Sequence, residues 1–283
     1  GSGLTQALVF RFSDSQGWQN LDVVDILINS SLDGRQACFI AYSRSANTVY
    51  LVTDTGGLLP GLVLNGSGTT SNNQCSISGQ GSSVSGSGTT MVLTLNVTFK
   101  SAFAGNRVFY MSAQDIFGAS SGWVPAGVWQ IPGSPATGTI SLSQVNPGSG
   151  SGRTQTFIFT FSDTKGYQDI GVINVLLNGF LDGATACSLA YARTTNTLYL
   201  FDDAGVNLLP GLVLAGQGSL SNSQCSISGA GSSGSGSGTT FTLRLNMTFS
   251  SSFAGNSIFY VAGRDVKEGN NTGWQTAGVW QVP

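Results

Sequence analysis

Met91-Val92-Leu93-Thr94-Leu95-Asn96-Val97-Thr98-Phe99 sets an apolar side chain at every second position from Met91, with Thr94, Asn96 and Thr98 between them. That alternation, in a run rich in β-branched residues, is the signature of a strand with one buried face and one wet face. Leu8-Val9-Phe10-Arg11-Phe12, Val23-Val24-Asp25-Ile26-Leu27-Ile28, Thr48-Val49-Tyr50-Leu51-Val52 and Arg107-Val108-Phe109-Tyr110-Met111 read the same way. Gly, Asn, Asp and Ser separate these runs, and no segment has helical spacing with capping residues. The predicted fold class is all-β. Two sheets packed face to face, with about seven or more strands per unit, fit the turn spacing better than a closed barrel.

The pattern occurs twice. Ser13-Asp14-Ser15-Gln16-Gly17-Trp18-Gln19-Asn20-Leu21 returns as Ser162-Asp163-Thr164-Lys165-Gly166-Tyr167-Gln168-Asp169-Ile170, and Gly127-Val128-Trp129-Gln130-Ile131-Pro132 returns as the final Gly278-Val279-Trp280-Gln281-Val282-Pro283. One extra residue, in Asp202-Asp203-Ala204-Gly205-Val206-Asn207 against Thr53-Asp54-Thr55-Gly56-Gly57, shifts the register. We read residues 1–132 as repeat 1 and 133–283 as repeat 2, the latter opening with a linker and a first strand over 138–147. Ile140, Leu142 and Val145 carry the apolar pattern of that strand. Repeat 1 has no counterpart to it and is expected to expose the edge it would cover. Either the excerpt is cut there or another chain fills the gap by donor-strand pairing. Gly1-Ser2-Gly3-Leu4-Thr5-Gln6 matches Gly150-Ser151-Gly152-Arg153-Thr154-Gln155, so the start reads as a repeat boundary with no signal peptide, in an excerpt or processed fragment. Duplicated modules usually have a role that scales with length or valency.

Charged residues make up 8% of the chain against about 25% in ordinary proteins, His is absent, and Gly fills 40 positions. The surface is therefore polar but nearly uncharged. A net charge of -2 supplies no basic footprint, which sets aside nucleic acid and anionic lipid as partners. No run of about 18 apolar residues exists to insert into a membrane. Low charge on Thr-, Val- and Phe-rich strands favours edge-to-edge pairing, so self-association or contact with neighbouring repeats is the expected partnership. The even cysteine count, one pair per repeat, reads as one disulfide each, Cys38 with Cys75 and Cys187 with Cys225. Two sulfurs per unit without His are too few for zinc. Disulfides point to an oxidising, extracellular or cell-surface location.

Phe10-Arg11-Phe12-Ser13-Asp14, with Gly17 and Asp22, and the later Val108-Phe109-Tyr110-Met111-Ser112-Ala113-Gln114-Asp115 resemble bacterial immunoglobulin-like repeats of secreted surface proteins. The resemblance covers both copies and implies a tandem Ig-like β-sandwich and a location outside the cell; it implies no activity.

Several residues invite a site. Trp18 and Tyr167 share one loop position and Trp123 and Trp274 another; such aromatics either cover the open ends of a sandwich or present a stacking platform for polysaccharide. Asp14 and Asp115, with Asp163 and Asp265 in the second copy, are the lesser candidates for calcium, against the reading that each caps its own turn. Asp25 becomes Asn174 and Asp22 becomes Gly171, so the acidic set is not kept; no resident cofactor or metal is expected. The Ser- and Gly-rich run from Ser76 to Thr90 reads as an ordered edge hairpin, because Cys75 anchors one end and a strong strand begins at Met91. Asn29, Asn65, Asn96, Asn246 and Asn270 match the glycosylation acceptor pattern. Without His, free thiols or a phosphate loop, no catalytic residue is assigned and the chain is not expected to be an enzyme. The expected role is an extracellular structural repeat, a stalk, matrix or self-assembling filament segment acting through strand edges. The alternative is an adhesin or carbohydrate-binding module using the loop aromatics.

Overall fold

The computed structural model describes residues 1–133, 139–214, 216–267 and 271–283. The chain divides into two compact units, Gly1–Ser134 and Pro135–Pro283. The boundary read at 132/133 adjoins residues 134–138, which lie outside the described residues, as does Asn270 of the acceptor patterns.

In unit 1 the strands are β1 Thr5–Ser13, β2 Leu21–Asn29, β3 Cys38–Ser43, β4 Thr48–Leu51, β5 Leu62–Val63, β6 Thr69–Ser71, β7 Cys75–Ser87, β8 Thr90–Phe99, β9 Gly105–Asp115 and β10 Val124–Ile131. They form one sheet in the order β1-β8-β7-β6 and another in the order β10-β9-β2-β3-β4-β5. Unit 2 repeats this with β11 Ile140–Asn146, β12 Ser149–Ser151, β13 Thr154–Asp163, β14 Ile170–Asn178, β15 Cys187–Ala192, β16 Thr197–Leu200, β17 Leu212–Val213, β18 Ser219–Ser221, β19 Cys225–Ser237, β20 Thr240–Phe249, β21 Gly255–Asp265 and β22 Gln275–Val282. Its sheets run β11-β13-β20-β19-β18 and β12-β22-β21-β14-β15-β16-β17.

The alternation read from Met91 onward is realised in β8: Met91, Leu93, Leu95, Val97 and Phe99 all enter the core between the sheets. Ile26, Ile28, Ile40 and Tyr42 meet them from the other sheet. Each unit is thus an Ig-like sandwich with its own core, and Cys38–Cys75 and Cys187–Cys225 join the two sheets of their units. A closed loop of this span stabilises the fold by about 4 kcal/mol in the chain-entropy picture. Beside each disulfide lies an asparagine that the sequence did not single out. Asn72 Nδ2 donates to the carbonyls of Ala37 and Val52 at 2.9 and 3.0 Å, while its Oδ1 accepts from the amides of Gln74 and Cys75, both at 2.9 Å. Asn222 does the same with Ala186, Phe201, Gln224 and Cys225.

The Ser- and Gly-rich run is ordered as β7 and pairs with β8, with a break in register between Ser78 and Ser83. There Ser82 Oγ donates to the Ser78 carbonyl at 2.6 Å and accepts from Asn96 N at 2.8 Å, so a hydroxyl fills the gap left in the ladder.

The units differ at one edge. In unit 2, β11 pairs antiparallel with β13, placing Ile140 against Asp163, Leu142 against Phe161 and Val145 against Phe159. In unit 1, β1 is the outermost strand of its sheet among the described residues. The consequence is measurable in burial. Leu8, Phe10 and Phe12 retain 9, 6 and 7% exposure, whereas Phe157, Phe159 and Phe161 have none.

Replacing Asn72 with Ala while leaving the disulfide intact strands two carbonyls and two amides in a buried setting. Unit 1 is expected to lose roughly 3 kcal/mol of stability, read as a lower denaturant midpoint.

Candidate functional site

β14 sends Ile173, Val175 and Leu177 into the core and leaves Asn174 and Leu176 on the outer face of the sheet. Register sets Asn174 between Ala190 of β15 and Ala262 of β21, and Leu176 between Ser188 and Tyr260. Alanines on either side give the Asn174 amide a shallow floor. Leu181 and Gly183 from one loop, Phe201 and Gly205 at a second, and Asn271, Gly273 and Trp274 from a third wall this patch into a dish of about 430 Å³, with Arg264 also lining it. Ser188 is 6% exposed, and neither its hydroxyl nor the Asn174 amide makes a hydrogen bond among the described residues.

The turn that presents Trp274 is held tightly. Thr272 N donates to the Gly263 carbonyl at 3.0 Å, Gly263 N donates back to Thr272 Oγ1 at 2.9 Å, and that hydroxyl donates to the Gly273 carbonyl at 2.8 Å. Gly273 takes a φ of 65°, a left-handed conformation suited to glycine. Asn271 Oδ1 accepts from Gly273 N at 2.8 Å, which leaves its Nδ2 to donate elsewhere. Trp274 stays 41% exposed on this fixed support.

The same place in unit 1 has different chemistry. Asp25 lies between Ala41 and Ser112, and Leu27 between Phe39 and Tyr110. Phe39, where unit 2 has Ser188, packs edge-on to Trp123 with ring centroids 5.8 Å apart. The groove there, about 690 Å³, is lined by Asp25, Asp33, Arg35, Phe39 and Asp54 among others. Burial pushes the Asp25 carboxyl above the ordinary carboxylate range. The Arg35 guanidinium, 2.7 Å from Asp33, holds that carboxyl at about 2.

Among the other residues singled out, Trp18 and Tyr167 are half-buried, each on a short 3-10 turn, Trp18–Asn20 and Tyr167–Asp169. Their rings lie over Gly86 and Gly236, where any Cβ would come within 2.1 Å of the ring. Tyr167 also stacks on Phe241 at 6.3 Å. Ile140 and Val145 of β11 point into the core of unit 2, and Leu142 packs against it. Oδ1 of Asp14 accepts from Gln16 N, Oδ1 of Asp115 from Phe117 N and Ala119 N, Oδ1 of Asp163 from Lys165 N and Oδ1 of Asp265 from Lys267 N. Each closes its own turn. Among the described residues no three Asp, Glu, Cys or His side chains gather as a metal cage.

One turn differs between the units. Asn20 Nδ2 donates to Asp14 Oδ2 at 2.9 Å in unit 1, but unit 2 has Asp169 at that position. Asp163 Oδ2 and Asp169 Oδ2 are both buried without a hydrogen-bond partner, and Asp163 is wholly buried. Lys165, which stands where unit 1 has Gln16, brings its Nζ to 3.6 Å from Asp169 Oδ2.

Asp169→Asn restores the amide-to-carboxylate bond of unit 1. It is expected to raise the melting temperature of unit 2 by the equivalent of about 1 kcal/mol, since the partly exposed Lys165 contact contributes little. Asp25→Asn tests the other groove. A carboxyl raised on folding binds its proton more tightly in the native state, so its cost to stability is absent below the unfolded value and grows as pH rises through the folded one. The variant is therefore expected to be more stable than the parent at neutral pH, with the gain vanishing below the usual carboxylate range.

No family model matches the sequence, and no curated protein matches it. Among solved structures, a marsupial T cell receptor is similar with a TM-score of 0.27 and 11% identity, over 99% of this chain and 70% of that one. The Ig-like assignment rests on the paired sheets and their cross-sheet disulfides.

Proposed function

We propose that this chain is an extracellular structural module from a repeat array of the kind found in secreted bacterial surface proteins. Its work is done by strand edges, as a stalk, matrix or self-assembling filament segment. The observation that supports this reading is the edge of β1, outermost in its sheet among the described residues where β13 is covered by β11. By the register of unit 2, residues 9–14 form the acceptor, and a strand of the Ile140–Asn146 type, from a second copy or a neighbouring repeat, is the partner. Cross-sheet disulfides, a charged fraction of 8% and few Lys and Arg for proteases to cut suit a durable object outside the cell.

The test uses the whole chain and a synthetic peptide spanning residues 139–147. Negative-stain images at rising concentration are expected to show end-to-end assemblies, and excess peptide is expected to dissolve them and slow amide exchange at residues 9–14. Monomers at high concentration together with unchanged exchange on adding peptide would sink the proposal.

A further inference from the structure

We propose that the dish on the outer sheet face of unit 2 binds a pyranose ring of an oligosaccharide, with Trp274 as the stacking surface. Ser188, Asn174, Asn271 and Arg264 supply the hydrogen bonds. The central observation is the Ser188 hydroxyl at the floor, which makes no hydrogen bond among the described residues and is open to the dish. A polar group in that position takes its partner from outside the protein, either water or a ligand hydroxyl that replaces it. The half-buried Asn174 amide beside it offers a donor and an acceptor, the pairing that adjacent sugar hydroxyls satisfy.

The apolar side of the dish fits the same ligand. Trp274, Leu181 and Phe201 present carbon surface above a floor of polar groups, and a sugar ring has an apolar C–H face and a polar rim. The volume of about 430 Å³ lies within the ~300–1,000 Å³ range of small-molecule sites. Because Thr272 and Gly263 fix the turn, the backbone that carries Trp274 is set before any ligand arrives, and binding need not order it. Among the described residues no carboxylate lines the dish, which makes a cation a poor fit, and the one Arg described there is too little positive charge for nucleic acid.

Unit 1 supplies the internal contrast. Its Phe39 takes the place of Ser188 and covers one edge of Trp123, so the hydroxyl at the floor is gone and the ring is engaged. The site is thereby assigned to unit 2 alone.

The experiment titrates the full chain by calorimetry with hexasaccharides of β-1,4-glucose, β-1,3-glucose, β-1,4-xylose, β-1,4-mannose and β-1,4-N-acetylglucosamine, and with hexagalacturonate as the acidic arm. At least one is expected to saturate a single site per chain below about 10 mM. Trp274→Ala is expected to weaken it at least about tenfold, Ser188→Phe to abolish it, and Trp123→Ala to leave it unchanged. Phe is already accommodated at the equivalent position of unit 1, and far-ultraviolet circular dichroism confirms that each variant is folded. Binding of the neutral or the acidic class with this dependence on Trp274 supports the site. It is overturned if no hexasaccharide binds, if Trp274→Ala binds like the parent, or if Ser188→Phe leaves binding intact.

Discussion

Each sandwich hangs on a staple made of one disulfide and one asparagine, buried in unit 1 and half-buried in unit 2. Cys187–Cys225 ties the two sheets, and Asn222, three residues before Cys225, ties the loops that leave them. Its two donated bonds end on the carbonyls of Ala186 and Phe201, one closing the loop that carries Leu181 and Gly183, the other opening the loop that carries Gly205. Thr185 N, donating to the Asp203 carbonyl at 2.8 Å, then links those loops to each other. Two of the three loops that wall the outer dish are therefore tied together beside the disulfide. A side chain that completes the hydrogen bonds of a turn also sets the shape of a surface more than one strand away.

Duplication makes the chain its own comparison. The sheet order, the staple, the bulge closed by Ser82 or Ser232 and the rings set over Gly86 or Gly236 are common to both units. Several differences gather on the outer face of the larger sheet: Asp25 against Asn174, Phe39 against Ser188, Gln114 against Arg264 and Val52 against Phe201. Core positions must preserve volume and polarity to keep close packing, whereas outward positions on the same strands are free to change chemistry. Where a change does reach a buried place, as with Asn20 against Asp169, a second change follows it: Lys165 in place of Gln16.

The strands were legible because period two survives in β1, β2, β4, β8 and β9, and the disulfides because each copy has one cysteine pair. β7 has almost no apolar alternation, yet its anchor at Cys75 and the strong strand that follows made it readable. The staple was not legible. Asn72 sits in Ser71-Asn72-Asn73-Gln74, and only three-dimensional proximity distinguishes it from the turn residues beside it. The dish was half legible: Trp274 stood out as a loop aromatic, but Ser188 alternates outward on β15 and looks like any wet strand position. Setting Ser188 against Phe39 was the signal available, since a hydroxyl replacing a phenyl ring beneath an aromatic loop leaves a void.

Among the described residues, the two sandwiches differ at the first edge of the smaller sheet. On β1, Val9 is 54% exposed and Arg11 is the sole charge along the strand. In unit 2 the corresponding strand is paired with β11, which carries no charge but is broken by a register shift between Leu142 and Gln144. A bulge twists an edge away from further pairing without adding charge. Among the described residues, the outermost strand of this sheet in unit 2 has a geometry that discourages addition, while the outermost strand in unit 1 is regular and its phenyl rings are not fully covered.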